Sequence, residues 1–443
     1  MTGKNELQKI KPNVAGLPLA SGIKKRFSML KVDSNWAFSD CRSTDYWTHG
    51  YHRYPAKFLP HLVKKLIEEY SEDRDIIGDV FAGCGTTLVE SKIHGKESIG
   101  VDINPVARLI TNAKINPINP KKLNKVYSKI EKSINSYKIN KNAKIPTHKR
   151  IDYWFHYDNK IKIAFLYSEI LLIHNLKTRD FFLCALSNIL KNCSKWLQTS
   201  TKPQVDPLKV PADPFIALQN QARKMMIKNE EFYNELHRKG LINKRCTIKL
   251  ADARKTRIKS GSIGTIITSP PYVTSYEYAD IHQLTGYWFE YISDISFFRK
   301  NFIGTFYSNN PTIITKSAIA QALVNRIKKK SVRTAREIAN YFNNMYDVAT
   351  EMKRILKNDG RVCLVIGNTT FKKVRIKSAE AFAEILLMLG FELEEIIKRE
   401  IPFKLIPTIR DKKSGKFTTL DNKNKKLVYP EEFIIIAKKS LSL

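Results

Sequence analysis

Apolar side chains at Leu59, Leu62, Val63, Leu66, Ile67 and Tyr70 follow the i, i+3, i+4, i+7 spacing of a helix with one face on a core. The period then changes. DIIGDVFAGCGTTLVESKIHG reads as a short buried strand, a glycine turn and a helix, and ESIGVDINP as a second strand closing on an acid, with Pro105 opening another helix. Strand and helix in alternation predict a parallel sheet. From about Asn119 to Asn243 the pattern lengthens into Lys-rich helical stretches, PKKLNKVYSKIEKSINSYK first and RDFFLCALSNILKNCSKWLQ later, which predict an inserted helical subdomain.

Sheet-like sequence resumes at CTIKLADAR and TIITSPPY. An amphipathic helix follows, apolar at Ile338, Phe342, Met345, Val348, Ala349, Met352, Ile355 and Leu356, with KNDG as its stop and Gly360 as the expected C-cap. RVCLVIGN is a fifth strand, SAEAFAEILLMLGF a helix stopped by Gly390, and ELEEIIKREI with EEFIIIAKK a closing strand pair around a polar, mobile loop. The fold class is therefore α/β: a doubly wound, mostly parallel seven-stranded sheet with a helical insert. The expected divisions are a basic, loose N-terminal arm (1–35), a first core part (36–118), the insert (119–243) and a second core part (244–443). Ligands of such sheets bind at the carboxyl ends of the strands, where strand order reverses.

With 443 residues, 43% of them hydrophobic, the chain has room for two or three units with buried cores. Charge changes the picture more: 76 Lys plus Arg against 42 Asp plus Glu give a net +34, which draws in polyanions by counterion release and makes nucleic acid the leading partner class. Six scattered cysteines show no metal-ligand spacing and no disulfide framework, so no metal is expected and a reducing cytoplasm fits. MTGKNELQKIKPNVAG has no apolar signal core, and no stretch reaches the roughly 18 apolar residues of a membrane span.

The chemistry-bearing residues fall at strand ends. In DVFAGCGTT, from Asp79 to Thr87, Gly83 and Gly85 free the backbone for close approach to a ligand at a helix N-terminus. Leu88 stands where the dinucleotide fingerprint needs its third glycine. Asp102 closes the second strand about 20 residues on, where an acid accepts ribose hydroxyls. Asp252 closes the third, where a carboxylate can take an adenine amino hydrogen. Each also has a plainer structural reading, as a turn or capping residue. Taken together, a glycine turn and two acids without a phosphate-binding glycine or lysine suit S-adenosyl-L-methionine better than NAD or ATP. At the end of the fourth strand, TSPPY sets two rigid prolines and a tyrosine.

In order, DVFAGCGTT, GVDINP, LADAR and TSPPY resemble the motifs of the amino-methylating DNA methyltransferases, and the S-P-P-Y form most resembles the N4-cytosine subgroup of restriction–modification systems. HGYHRYPAKFLPHLV upstream and LKNDGRVCLVIGN, LGFELEEIIKREIP and EEFIIIAKK downstream extend the likeness over most of the chain except the arm and the insert. The resemblance implies a cofactor site of Tyr54, Pro55, Asp79, Phe81, Ala82, Gly83, Gly85, Thr86, Asp102 and Asp252, and a catalytic tetrad of Ser269, Pro270, Pro271 and Tyr272. It implies double-stranded DNA as partner, with Tyr272 stacking on a base swung out of the duplex, and functional pairing with a restriction endonuclease without a physical complex. Adenine N6 in DNA, or an RNA base, is the alternative target; a DNA-binding protein with a relic pocket is a third reading. There is no Pro-Cys pair for covalent C5 chemistry, and Cys84 reads as a small packing residue. Trp154, Phe155 and Trp196 read as core aromatics, and the basic runs of the insert and of Arg326–Arg336 as DNA-gripping or solvated faces.

Overall fold

Seven short apolar runs form one sheet in the computed structural model: β1 (Ile76–Asp79), β2 (Glu97–Asp102), β3 (Cys246–Leu250), β4 (Ile263–Thr268), β5 (Leu356–Ile366), β6 (Phe391–Glu400) and β7 (Glu431–Lys439). The structure describes residues 19–41, 43–138, 144–273, 278–305, 312–371, 374–401, 409–412, 418, 421–427 and 431–440. The spatial order is 3-2-1-4-5-7-6, and β7 alone runs antiparallel to its neighbours. Strand order thus reverses between β1 and β4, which pair in parallel through Ile77 with Thr265 and Gly78 with Ile266. All six residues of β4 are buried, as expected of a strand covered by helices on both faces.

Helices cover the sheet, some of them marked by the periodicity and some, such as the first, not. From the amino end they begin with α1 (Leu19–Ser28), α2 (Pro60–Tyr70), α3 (Thr86–Ile93) and α4 (Pro105–Ile115). Prolines open α2 and α4 at their first turn, where no hydrogen-bonded N–H is needed. The insert contributes α5 (Pro120–Asn135), α6 (Lys149–Trp154), α7 (Tyr157–Leu171), α8 (Leu176–Ile189) and α9 (Pro214–Arg238), and after β4 come α10 (Gln283–Trp288), α11 (Ala318–Lys328), α12 (Val332–Ile355) and α13 (Ser378–Met388). Ile338, Phe342, Met345, Val348, Met352 and Ile355 of α12 are buried in the core cluster under β4 and β5. Truncating such a side chain to alanine costs about 2–5 kcal/mol.

Three expectations are corrected. Residues from Leu19 on are not a loose arm: Ile23 and Phe27 of α1 are buried, the Phe27 ring sits 5.2 Å from that of Phe433, and Asp33 N–H donates to the Lys398 carbonyl at 2.8 Å. Residues 1–18 lie outside the described part. Second, Gly360 is not a helix cap. α12 ends at Ile355, Leu356 is already extended, and Asp359 takes the left-handed conformation (φ 60°). Gly360 lies inside β5, where an added Cβ would be 2.8 Å from the Gly264 carbonyl. Sheet pairing, a long-range force, pulls straight the chain that local glycine rules would end as a helix. Third, the polar loop between β6 and β7 contains ordered pairing: Ile409–Asp411 runs antiparallel to Lys425–Leu427.

The insert does not form a core of its own. Phe181, Phe182, Leu183, Trp154 and Trp196 share one cluster with Val106, Leu109 and Ile110 of α4 and with Leu284, Tyr287 and Trp288 of α10. Trp154 and Trp196 stack at 5.1 Å, each 2% exposed, in the core role expected of them. A buried polar chain adds direction to this packing: His52 Nε2 meets Ser187 Oγ at 2.9 Å, and Ser187 Oγ meets Thr285 Oγ1 at 2.7 Å. Burial pushes the His52 pKa down to about 4, so the ring is neutral at physiological pH. The segment before the sheet, the insert and the helix after the fourth strand are thereby fixed to one another around the reversal point.

Candidate active site

At the end of β1 the chain turns through Gly83 (φ 49°) and Gly85 (φ 79°) into α3. Both conformations disfavour any residue with a Cβ. At Gly85 a Cβ would also lie 2.7 Å from Thr111 Cγ2. Thr111 Oγ1 in turn donates to the Gly83 carbonyl at 3.0 Å, so α4 clamps the turn from behind. Cys84 is 3% exposed beside Thr86 and packs, as expected.

Two carboxylates shape the loop. Asp102 accepts Gly83 N–H on Oδ2 and Asn104 N–H on Oδ1, both at 2.8 Å. Asp79 takes Phe81 N–H at 3.0 Å and the Thr268 hydroxyl at 2.7 Å on the same oxygen, which joins the end of β1 to the end of β4. Burial raises each carboxyl to about 6, against the pull of these hydrogen bonds. Asp252 is gripped by Arg254 through Nε at 3.0 Å and through Nη2, and Arg254 Nη1 donates to Asn344 Oδ1 at 2.8 Å. Its carboxylate therefore has a standing cationic partner, which sequence alone did not reveal.

TSPPY leaves β4 with its backbone held on two sides. Thr268 is tied to Asp79, and the hydroxyl of Tyr341, a buried residue of α12, donates to the Pro271 carbonyl at 2.8 Å. Tyr272 turns its ring onto Gly367, where a Cβ would be 3.0 Å from Tyr272 Cε2, and its hydroxyl donates to Glu432 Oε2 at 3.1 Å. Glu432 pairs with Arg399, whose Nε donates to the Trp36 carbonyl at 2.6 Å. Arg399 is 2% exposed and Glu432 8%, so the tyrosine is anchored to a satisfied buried ion pair. Burial first and the Glu432 charge second hold the Tyr272 phenol well above its ordinary pKa.

One cleft, partly open to solvent, collects Tyr54, Asp79, Phe81, Ala82, Gly83, Thr86, Asp102, Asp252, Ser269 and Pro271 in its wall. Pro55, Gly85, Pro270 and Tyr272 are not in that wall: Pro55 follows Tyr54, Gly85 shapes the turn from behind, and the other two alternate with Ser269 and Pro271. Sequence reading missed a further part of the wall, Asn301 to Thr305, together with Asn104 and Tyr278. Gly304 (φ 79°), with Tyr341 Cδ2 3.2 Å from where a Cβ would stand, is the signal that could have pointed to it. Residues 274–277 of the TSYEY stretch lie outside the described part. Among the described residues no helix is long and apolar enough to cross a membrane.

The family model described as DNA methylase, of the N6/N4 type, matches residues 17–112 and 263–441, more than half of the chain and both sides of the insert. The Type II methyltransferase M.MvaI of Kocuria varians is 28% identical over 399 residues, covering 82% of this chain and 86% of that protein. The Type II methyltransferase M.BsoBI of Geobacillus stearothermophilus is 26% identical over 273 residues, 53% of this chain and 51% of its own. The solved rRNA methyltransferase aviRa of Streptomyces viridochromogenes aligns over 87% of each chain at 8% identity and a TM-score of 0.33.

Proposed function

Because the chain belongs to the DNA methylase family, we propose that it methylates the exocyclic N4 amino group of cytosine in a specific duplex sequence, using S-adenosyl-L-methionine, as the modification half of a restriction–modification pair. The observation that carries this reading is one cleft shared by the glycine turn, Asp102 and Ser269. The residues fit the cofactor: Asp102 uses one lone pair of each oxygen on the loop amides, leaving acceptor capacity for the two ribose hydroxyls. Asp252 offers the adenine amino group the capacity that Arg254 leaves. S-adenosylmethionine, when bound, supplies an electrophilic methyl group on a sulfonium.

An amino group conjugated to a pyrimidine ring is a poor nucleophile, because its lone pair is delocalised. The Ser269 hydroxyl oxygen and the Pro270 carbonyl are proposed to accept its two hydrogens, favouring a pyramidal nitrogen and aiming the freed lone pair into the cleft. The proline ring fixes φ and removes a competing donor. Transfer is then direct, with no covalent enzyme intermediate. Serine as the first residue of the tetrad supports cytosine over adenine, and the basic helical insert is proposed to read the target.

Nucleoside analysis of DNA methylated by the purified protein should show N4-methylcytosine; N6-methyladenine instead would move the target to adenine, and no product would overturn the reading. A pH prediction follows from the two carboxyls near 6. Their ionised forms hold the loop amides, so cofactor affinity is full above pH 6 and falls as pH drops through it, by up to about tenfold per pH unit for each carboxyl that must ionise. Fluorescence titration between pH 5 and 8, with circular dichroism to confirm folding, would show a flat profile if neither acid matters.

A further inference from the structure

We infer that the DNA backbone is held at the helical insert by Arg53, which immediately precedes the cleft wall, together with Arg150 and Lys195, which flank the half-exposed ring of Tyr153. This rests on the reading of the chain as a methylase of duplex DNA, and adds which face takes the phosphates.

Arg53 immediately precedes Tyr54 of the cleft wall, is exposed, and is rooted on the insert by its backbone N–H, which donates to Asn188 Oδ1 at 2.9 Å. Tyr153 is 50% exposed, with the Arg150 guanidinium 5.9 Å and the Lys195 ammonium 5.8 Å from its ring centre. The ground beneath is rigid: Lys195 N–H donates to the Trp154 carbonyl at 2.8 Å, over the stacked pair of Trp154 and Trp196. Lys191 and Lys209 stand beside this group and spend their ammonium protons on backbone carbonyls, at 2.7 Å to Ser200 and 2.7 Å to Trp196. Burial first, then the charges of Arg53 and Lys209, lowers the Lys191 pKa to about 8.

Several cations of the insert are matched by carboxylates, Lys160 with Asp152, Lys162 with Asp213, Arg223 with Glu131 and Arg238 with Glu235, while Lys121, Lys122 and Lys125 of α5 have no salt-bridge partner among the described residues. None of Arg53, Arg150, Lys191, Lys195 or Lys209 has a carboxylate in salt-bridge range among the described residues. Like charges gathered without counter-charge repel, and a phosphate chain relieves that repulsion while releasing its own counterions. The rival surface is the lysine face of α5. It starts remote from the cleft: α4 leaves the cleft at Asn104 and carries the chain roughly 16 Å away, at 1.5 Å per residue, before Lys121, Lys122 and Lys125.

The test is the salt dependence of duplex binding by the full chain in the presence of S-adenosylmethionine. Combining Arg53→Ala, Arg150→Ala and Lys195→Ala should flatten the plot of log affinity against log salt by nearly three units of slope, at about 0.9 per lost phosphate contact. Lys121→Ala, Lys122→Ala and Lys125→Ala together should leave it unchanged. Cofactor binding by calorimetry confirms that each variant is folded. Wild-type slope in the first variant, or equal flattening in the second, overturns the inference while a wild-type protein that methylates DNA leaves the proposed function standing. A wild-type protein that binds and methylates no DNA would remove both.

Discussion

Single-turnover methyl transfer is expected to fall by about 100-fold or more in Ser269→Ala, the loss typical of removing one preorganised polar group at the reacting centre, with cofactor affinity unchanged. The separation is expected because the backbone of the tetrad does not depend on that hydroxyl. Thr268 is fixed by Asp79 and Pro271 by Tyr341, so the variant deletes an acceptor and leaves its surroundings in place. Tyr272→Ala should lose at least as much, since it empties the space over Gly367 and leaves Glu432 without its hydroxyl donor. Tyr272→Phe keeps the ring and should lose less. Rapid-quench transfer assays beside calorimetry of cofactor binding would decide it: wild-type rates in both Ser269→Ala and Tyr272→Ala would remove the tetrad from the mechanism.

Asp102→Ala should weaken S-adenosylmethionine binding by about 100-fold or more, on the order of 3 kcal/mol. The carboxylate accepts the amides of Gly83 and Asn104, and each buried donor left without a partner costs about 1–3 kcal/mol. Part of that cost would appear as disorder of the loop, part as lost contacts to the ribose. Asp102→Asn should fall between, because its single carbonyl oxygen serves one amide while its NH₂ opposes the other. A Kd within twofold of wild type for Asp102→Ala would show that the acid shapes the turn without holding the ligand.

The glycine turn, the acids at two strand ends and the seven strands were legible in the sequence because each is set within about ten residues of chain. What escaped is what partners across the fold supply. Tyr272 finds Glu432 160 residues away, Tyr341 reaches Pro271 from 70 residues downstream, and Asn301 to Thr305, well beyond β4 in the sequence, line the same cleft as the turn. Periodicity says that a residue is buried, not against whom. Arg254 illustrates the opposite failure: two residues from Asp252, it was near enough to notice, but its grip depends on side-chain direction, which spacing does not encode. Periodicity reads 119–243 as a helical block, whereas its shared core with α4 and α10 follows from topology.

One oxygen of Asp79 serves both an amide of the turn and the hydroxyl at the foot of the tetrad. It thus works as a common datum from which the position of the glycine turn and that of the TSPPY segment are both set. Drift in either place is transmitted to the other, so the spacing between the glycine turn and the tetrad is held by a single carboxylate. Loss of that one carboxylate would release both ends at once.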